Sequence, residues 1–138
     1  MKVLFDTNVV VDILTTRQPF FADSVNCYKK LVEQKCKILI STVSIADVMY
    51  LTRKHFADFQ KQLTAVSDFL AMLGIAKVSK ADVHFAFSGV MTDFEDALQA
   101  HCAKRYHARY VITRNTKDYA LSPVQAVTPT EFMNIQYK

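Results

Sequence analysis

Short apolar runs alternate along the chain with longer segments in which apolar residues recur at helical spacing. The runs Val3-Leu4-Phe5 and KILIS at 37–41 are typical of strands that are buried on both faces of a sheet. In the segment 58–73, apolar residues recur every three or four positions, as in an amphipathic helix. Strands that alternate with helices in this way predict βαβ units, and therefore a parallel sheet covered on both faces.

The same pattern assigns elements to the whole chain. Predicted strands cover 2–6, 37–41, 75–78 and 109–113, with a weaker fifth strand at 124–127. Predicted helices cover about 19–35, 44–55, 58–73, 80–90 and 92–107, with a last helical turn at 129–134. No repeat, low-complexity tract or Gly/Pro/Ser-rich linker divides the sequence. We therefore expect a single domain over 1–138 with an α/β fold, a parallel-sheet α/β/α sandwich.

The composition is that of an ordinary globular protein, with 51% hydrophobic and 22% charged residues. No apolar run approaches the roughly 20 residues that a transmembrane helix needs, and Asp6 interrupts the first apolar run too early for a signal peptide. A cytoplasmic protein without membrane association is therefore expected. The formal net charge of +4 permits a polyanionic partner, although lysine and arginine are scattered along the chain.

The counts of cysteine, histidine and glycine exclude several classes of site. Cys27, Cys36 and Cys102 form no CxxC pair and are predicted to be buried free thiols. The four histidines lack the paired metal-ligand spacing of HExxH. Two glycines are too few for a P-loop or a dinucleotide-binding turn.

Acidic and amide side chains lie where predicted strands end and where neighbouring helices begin. These residues are Asp6, Asp47, Asp93, Asp96, Asn115 and Asp118. In a doubly wound sheet the carboxyl ends of the strands share one rim, and ligands bind beyond it. Asp6 is equally well explained as the cap of a helix that begins at Val9.

Local structure also explains the other acids when each is taken singly. Ser44 and Asp47 resemble a capping box, and Thr92 with Glu95 matches that motif fully. Acids in the first turn of a helix favour its positive end. Asp118 is a typical turn residue.

Local structure does not explain why acids from three separate segments would meet on one rim. Clustered carboxylates repel one another unless they take up protons or a cation lies among them. Carboxylate oxygens are ligands of hard divalent ions such as Mg²⁺ and Mn²⁺. Such an ion lowers the pKa of a water and neutralises charge on a phosphate. The cluster therefore indicates metal-assisted hydrolysis of a phosphodiester.

The sequence resembles the PIN-domain family of ribonucleases (PilT N-terminus-like), whose small members include the VapC-type toxins of toxin–antitoxin pairs. The resemblance rests on VLFDTNVVVDIL at the start, ISTVSIADVMYL in the middle, DFEDALQAHCAKRYHARYVITRN later and KDY just beyond. It implies an endoribonuclease that hydrolyses RNA with Mg²⁺ or Mn²⁺. It also implies an antitoxin protein as partner and a homodimer.

The resemblance assigns roles to individual residues. It implies that Asp6, Asp47, Asp93 and Asp96 are the catalytic acids, and that Asp6, Asp93 and Asp96 are the metal ligands. The residues that it places in the supporting pocket are Thr7, Asn8, Thr113, Asn115 and Asp118.

Two positions depart from the family pattern. Asp47 lies where the family usually has glutamate and is one methylene shorter. Asn115 lies where many members have aspartate, so it keeps an oxygen ligand but lacks the charge, and Asp93 or Asp118 is expected to complete the set. These departures leave a second interpretation open: a PIN domain with weakened catalysis that acts as a non-enzymatic module for binding protein or RNA.

The resemblance also implies that basic side chains near the rim contact the RNA backbone. The candidates are Arg17, Arg53, Arg114 and Lys117, each of which is also explained as an ordinary surface charge. The apolar helices at 56–73 are a candidate dimer interface, although core packing explains the same pattern.

Two other phosphate-handling families match less well. A haloacid-dehalogenase-type phosphatase needs a second aspartate two residues after the first, where this chain has Asn8. A response-regulator receiver needs an acidic pair after the first strand and a phosphoacceptor aspartate at the end of a middle strand. Neither FDTN nor ILIST provides these residues.

Overall fold

A sheet of five parallel strands forms the centre of the computed structural model, which describes residues 1–135. The strands are β1 (Lys2–Phe5), β2 (Lys37–Ser41), β3 (Gly74–Ala76), β4 (Tyr110–Ile112) and β5 (Gln125–Val127). Their order across the sheet is β3-β2-β1-β4-β5. The predicted parallel sheet is confirmed, including its weak fifth strand.

The helices lie between the strands along the chain, except α7, which follows the last strand. They are α1 (Thr7–Leu14), α2 (Phe21–Glu33), α3 (Thr42–Thr52), α4 (Phe59–Leu70), α5 (Lys80–Phe87), α6 (Phe94–Arg105) and α7 (Pro129–Met133), and a short 3-10 turn covers Thr116–Tyr119.

Alternate residues of the central strand pack against opposite layers of helices. In β1, Val3 and Phe5 belong to one apolar cluster and Leu4 belongs to the other. The first cluster includes buried side chains of α1, α2, α3, α4 and α7, and the second includes those of α5 and α6. Helices therefore cover both faces of the sheet, and the predicted α/β/α sandwich is confirmed.

The first and third helices begin earlier than the sequence pattern predicts, because polar residues at the strand ends cap them. α1 begins at Thr7 rather than at Val9, since the Asp6 carboxylate accepts a hydrogen bond from the Thr7 backbone N–H at 2.7 Å. The Ser41 hydroxyl caps α3 by accepting from the Ser44 backbone N–H at 3.2 Å. The expected capping box that begins at Ser44 is therefore wrong, because that residue already lies inside the helix.

Helix α6 is capped by Asp93, not by the predicted capping box of Thr92 and Glu95. The Asp93 carboxylate accepts from the Asp96 backbone N–H at 2.9 Å, and the helix begins at Phe94. Since Asp93 takes the capping position, the Glu95 side chain is not needed to bond the backbone at the start of the helix. That side chain is available for another contact.

A buried ion pair joins α5 to α6. Asp82 is fully buried and accepts hydrogen bonds from Arg105 Nε at 2.8 Å and Arg105 Nη2 at 2.6 Å, and His101 Nδ1 lies 2.6 Å from its carboxylate. Burial opposes ionisation of Asp82, but hydrogen bonds from Arg105, His101 and the Ser79 backbone outweigh it and lower its pKa. The pair fixes the position of α6, the helix that carries Asp96.

Two expectations from composition can be compared with the structure. Within the described residues, no helix has the length and apolar character needed to cross a bilayer. All three cysteines are unpaired, and Cys27 and Cys102 are buried as predicted, whereas Cys36 is partly exposed.

Candidate active site

An acidic cavity of about 320 Å³ opens at the carboxyl edge of the sheet. Carboxyl groups from three separate segments line it: Asp6 follows β1, Asp47 lies on α3, and Glu95 and Asp96 lie on the first turn of α6. The other lining residues are Thr7, Asn8, Val11, Asp12, Arg17, Leu51, Arg114 and Asn115. The predicted meeting of distant acids on one rim is therefore found for Asp6, Asp47 and Asp96.

Asp6 is buried and held by four hydrogen bonds. Its Oδ1 accepts from the Thr7 backbone N–H at 2.7 Å and from Gln99 Nε2 at 2.8 Å. Its Oδ2 accepts from Thr113 Oγ1 at 2.8 Å and from Asn8 Nδ2 at 3.4 Å. The predicted pocket residues Thr7, Asn8 and Thr113 thus fix the orientation of this carboxylate.

Gln99 extends this arrangement into a buried polar network. The side chain is only 1% exposed, and its Oε1 accepts from Ser44 Oγ at 2.8 Å and from Ser41 Oγ at 3.3 Å. The hydroxyl oxygens of Ser44 and Thr7 lie 2.8 Å apart. The network ties Asp6 to helices α1, α3 and α6.

Sequence analysis did not identify Gln99, Ser41 or Ser44 as parts of the site. A signal for Gln99 is present, since it lies three residues after Asp96 and therefore shares a face of the helix with it. The two serines carry only a helix-start signal, which does not distinguish a cap from a member of a polar network.

Glu95 is the first of two acids that the sequence pattern did not assign to the site, because its spacing from Thr92 matches a capping box. A hydrogen bond with Asp47 raises the pKa of Glu95 to about 8, with further contributions from burial and from the charges of Asp47, Asp93 and Asp6. At neutral pH the Glu95 carboxyl is therefore mostly protonated and donates a hydrogen bond to the Asp47 carboxylate. This pairing relieves the repulsion between an acid of α3 and an acid of α6.

Asp96 also holds its proton more tightly than an ordinary aspartate. Burial raises its pKa to about 7, assisted by the charges of Asp6, Asp93 and Asp118, while a hydrogen bond from Tyr119 acts in the opposite direction. The Tyr119 hydroxyl donates to Asp96 Oδ1 at 3.3 Å. Burial raises the pKa of Tyr119, so that it stays a donor.

Two of the predicted acids do not line the acidic cavity. Asp93 is exposed and caps α6, and Asp118 is exposed on the 3-10 turn. Both lie close enough for their charges to raise the pKa of Asp96. Asn115 does line the cavity, and its backbone N–H donates to Thr113 Oγ1 at 3.1 Å.

A second acid that sequence analysis missed, Asp12, anchors a basic residue of the rim. Asp12 is fully buried and accepts from Arg114 Nε at 2.6 Å. The Arg114 guanidinium carbon lies 3.9 Å from the centre of the Phe20 ring, and the Arg17 guanidinium carbon lies 6.0 Å from it. Of the four basic residues predicted to contact RNA, Arg17 and Arg114 line the acidic cavity.

The other two basic candidates lie outside the cavity lining. Arg53 lies over the Tyr50 ring, with its guanidinium carbon 3.8 Å from the ring centre. Lys117 is exposed on the 3-10 turn.

The donor chemistry of the cavity fits a hard divalent cation, because Asp6, Asp47, Glu95 and Asp96 all offer oxygen ligands, and a cation would favour ionisation of Glu95 and Asp96, whose pKa values are raised. Within residues 1–135, no group of three or more Asp, Glu, His or Cys side chains has the arrangement needed to hold a metal ion. Glu95 is instead paired with Asp47, and Asp96 accepts a hydrogen bond from Tyr119. A cation that bound to Glu95 would displace its proton and break its hydrogen bond with Asp47.

Comparison with known proteins identifies relatives over nearly the whole chain. A family model described as PIN domain matches residues 2–117. Ribonuclease VapC1 of Aquifex aeolicus (strain VF5) is 29% identical over 136 residues, which cover 95% of this chain and 92% of that protein.

Solved structures share the fold. A toxin–antitoxin complex from Klebsiella pneumoniae contains a chain that is 26% identical, with a TM-score of 0.69 and coverage of 92% of this chain and 97% of that one. A chain in the structure of VapBC-1 from nontypeable Haemophilus influenzae is 15% identical, with a TM-score of 0.72 and coverage of 94% and 99%.

Proposed function

The chain belongs to the PIN domain family, and on that premise we propose that it is a metal-dependent endoribonuclease and the toxin of a toxin–antitoxin pair. Its similarity to Ribonuclease VapC1 supports the ribonuclease activity. Its similarity to a chain of the Klebsiella pneumoniae toxin–antitoxin complex supports the toxin role. A cytoplasmic location is part of the proposal, because cellular RNA is the substrate.

The convergence of Asp6, Asp47, Glu95 and Asp96 on one cavity is the observation that carries the proposal. A structural role requires no such cluster, since each additional carboxyl raises the cost of ionising its neighbours. Clusters of this kind are typical of sites where chemistry is performed.

We assign the metal ligands to Asp6 and Asp96, together with Glu95. Asp93 was expected to be a third ligand, but its carboxylate caps α6, and its proposed role is to add negative charge beside Asp96. When bound, Mg²⁺ or Mn²⁺ supplies neutralisation of phosphate charge and a lowered pKa for a water.

The side chains of the cavity have distinct tasks in this proposal. Asp6 is held in one orientation by its four hydrogen-bond donors, so its position does not change as the substrate reacts. Asp47, once separated from Glu95, accepts the proton of the attacking water. Arg17 and Arg114 on the rim bind the phosphates that flank the reacting one.

RNA cleavage with Mn²⁺, with Mg²⁺ and with a chelator tests the proposal. We expect wild-type cleavage with either ion and none with the chelator. Asp6→Asn and Asp96→Asn should each reduce the rate by about 100-fold or more, as for loss of one group that stabilises transition-state charge. Asp68→Asn, at an exposed position on α4, is the matched control and should cleave at the wild-type rate.

Absence of cleavage by the wild-type protein with both ions would contradict the enzymatic proposal. If such a protein still bound RNA or a partner protein, the chain would be a non-enzymatic interaction module, the alternative that Asp47 and Asn115 suggest.

An antitoxin protein and a second copy of the chain are the proposed protein partners. The toxin–antitoxin complex from Klebsiella pneumoniae, which contains a chain with the same fold, supports the first. Co-purification of the chain with the product of a short neighbouring reading frame, with loss of RNA cleavage in the complex, is the expected result. An isolated chain that no neighbouring product binds would contradict the toxin role.

A further inference from the structure

A second cavity, of about 330 Å³, lies beside the acidic cavity. We call it the Phe20 cavity, and its main lining residues are Phe20, Ser24, Arg114, Asn115, Pro129 and Thr130. Arg114 and Asn115 line both cavities. These two residues therefore form a wall that the two cavities share.

Ser24 in the wall of the Phe20 cavity has a buried hydroxyl without a partner. The residue is 0% exposed, and its Oγ accepts or donates no hydrogen bond within the described residues. Buried hydroxyl groups are nearly always paired, and this unpaired one lies in the cavity wall, where a bound ligand would supply a partner.

The cavity also presents flat surfaces. The Arg114 guanidinium lies on the Phe20 ring at 3.9 Å and is held there by the Asp12 carboxylate at 2.6 Å. Aromatic rings and guanidinium planes are the surfaces on which unpaired bases of single-stranded RNA stack.

Hydrogen-bonding groups of both kinds surround these flat surfaces. Thr130 offers a hydroxyl, Asn115 an amide and Asp23 a carboxylate. Donors and acceptors beside an aromatic ring and a guanidinium match the edge of a nucleobase, whereas an apolar side chain of a protein partner would leave them unpaired.

We propose that the Phe20 cavity holds the base of a nucleotide next to the phosphate in the acidic cavity, and that Ser24 helps to select that base. This inference rests on the proposed ribonuclease function and deepens it, because it assigns sequence preference to a particular pocket. Single-stranded RNA is the expected substrate at this nucleotide, since a paired base would first have to be unpaired and unstacked, which costs free energy, to enter the cavity.

Cleavage of an RNA pool with randomised nucleotides tests the inference. Wild-type protein should prefer one base at one position beside the cleaved bond. Ser24→Ala should reduce that preference by roughly 2- to 10-fold, as for loss of one uncharged hydrogen bond. The melting temperature of Ser24→Ala should equal or exceed that of the wild type, because the variant removes an unpaired buried hydroxyl. If Ser24 instead stabilised the fold, the melting temperature of the variant would be lower.

A large side chain placed at the exposed rim of the Phe20 cavity tests the same pocket by blocking it. Thr130→Trp should raise KM for RNA by about 10-fold, as for loss of one stacked base, with little change in kcat. Thr64→Trp places the same side chain at an exposed position on α4 and is the matched control. Unchanged base preference and KM in both Ser24→Ala and Thr130→Trp would overturn the inference.

A binding measurement separates this inference from the proposed function. Fluorescence anisotropy of a labelled RNA of about ten nucleotides, with Asp96→Asn protein, reports binding without cleavage. If the wild-type protein cleaves nothing, the proposed function fails, and the inference is then decided by whether Thr130→Trp weakens this binding. If Thr130→Trp instead abolishes binding of a protein partner while RNA binding is unchanged, the cavity is a protein site and the inference is wrong.

Discussion

At the scale of single residues, Asp6 depends on side chains that are distant from it in the sequence. Gln99 donates to Asp6 and accepts from Ser44, so it satisfies two buried polar groups at once. A buried group that loses its partner is costly, because it has left water without compensation.

Gln99→Leu should therefore lower the free energy of unfolding by about 1–3 kcal/mol. It should also reduce RNA cleavage by about 10- to 100-fold, as for loss of an outer partner of a metal ligand. The matched control is Gln62→Leu, since Gln62 is also buried and donates to the Met49 carbonyl at 2.7 Å. In urea denaturation, both variants should be destabilised by a similar amount. In cleavage assays, only Gln99→Leu should lose activity beyond what this destabilisation explains. Equal cleavage rates of the two variants would show that Gln99 does not position Asp6.

Glu95 and Asp96 should make stability depend on pH when no divalent ion is present. Their folded-state pKa values, about 8 and about 7, lie above their ordinary values. The folded state therefore binds their protons more tightly, and the free energy of unfolding should fall as pH rises from about 4.5 to about 8. The fall should be on the order of 1 kcal/mol, since solvent screens both groups.

Denaturation with a chelator between pH 5 and pH 8.5 measures this effect. Glu95→Gln should flatten the dependence, whereas Glu33→Gln, at the far end of α2, should keep it. A stability that rises over the same range in the wild-type protein would contradict the assignment of raised pKa values.

At the scale of elements, α6 brings two acids to the cavity, and two separate contacts fix it. Asp93 sets the residue at which the helix begins, and Asp82 on α5 holds Arg105 near its end. Because a helix turns about 100° per residue, the starting position decides which side chains face the cavity.

Asp82→Asn should reduce the free energy of unfolding by about 3 kcal/mol, at the low end of the range for breaking a buried ion pair. The pKa of Asp82 is lowered in the folded state, so its stabilising effect is present at neutral pH and is lost as pH falls into the acidic range. Thermal unfolding of the wild type and variant should therefore converge in acid. Exposed Asp68→Asn is the control, and a constant difference between Asp82→Asn and wild type down to low pH would contradict the prediction.

At the scale of the whole molecule, apolar side chains remain exposed near the start of α6. Phe87 is 77% exposed and Phe94 is 45% exposed, and their ring centres lie 4.9 Å apart. The segment 56–73, where the sequence suggested an interface, buries Val66 and Phe69 in the core and leaves Phe59 exposed.

We predict a homodimer whose dissociation constant rises about tenfold or more in Phe87→Ser, as for loss of an aromatic anchor. Sedimentation equilibrium measures this constant. Leu121→Ser, at a position that is 67% exposed, is the control and should dimerise like the wild type. Phe59→Ser tests the interface that the sequence suggested. A monomeric wild-type protein at high concentration would exclude the dimer.

Much of the fold was predictable because local pattern determines it. The period of apolar residues distinguishes strands from helices, and βαβ connections leave few topologies open. The sheet and both helical layers follow from this, as does the position of Asp6 at the end of β1. The family was also recognisable from residues that stand close together in the sequence.

The sequence by itself thus determined the layers, the parallel sheet and the rim on which Asp6, Asp47 and Asp96 meet. Only the tertiary structure decided that Glu95 faces the cavity while Asp93 caps α6, since a shift of one residue in the start of a helix rotates every side chain on it. It also decided that Gln99 bonds Asp6 across 93 positions. Burial follows from local periodicity, but the pairing of polar groups depends on which distant segments the packed core brings together.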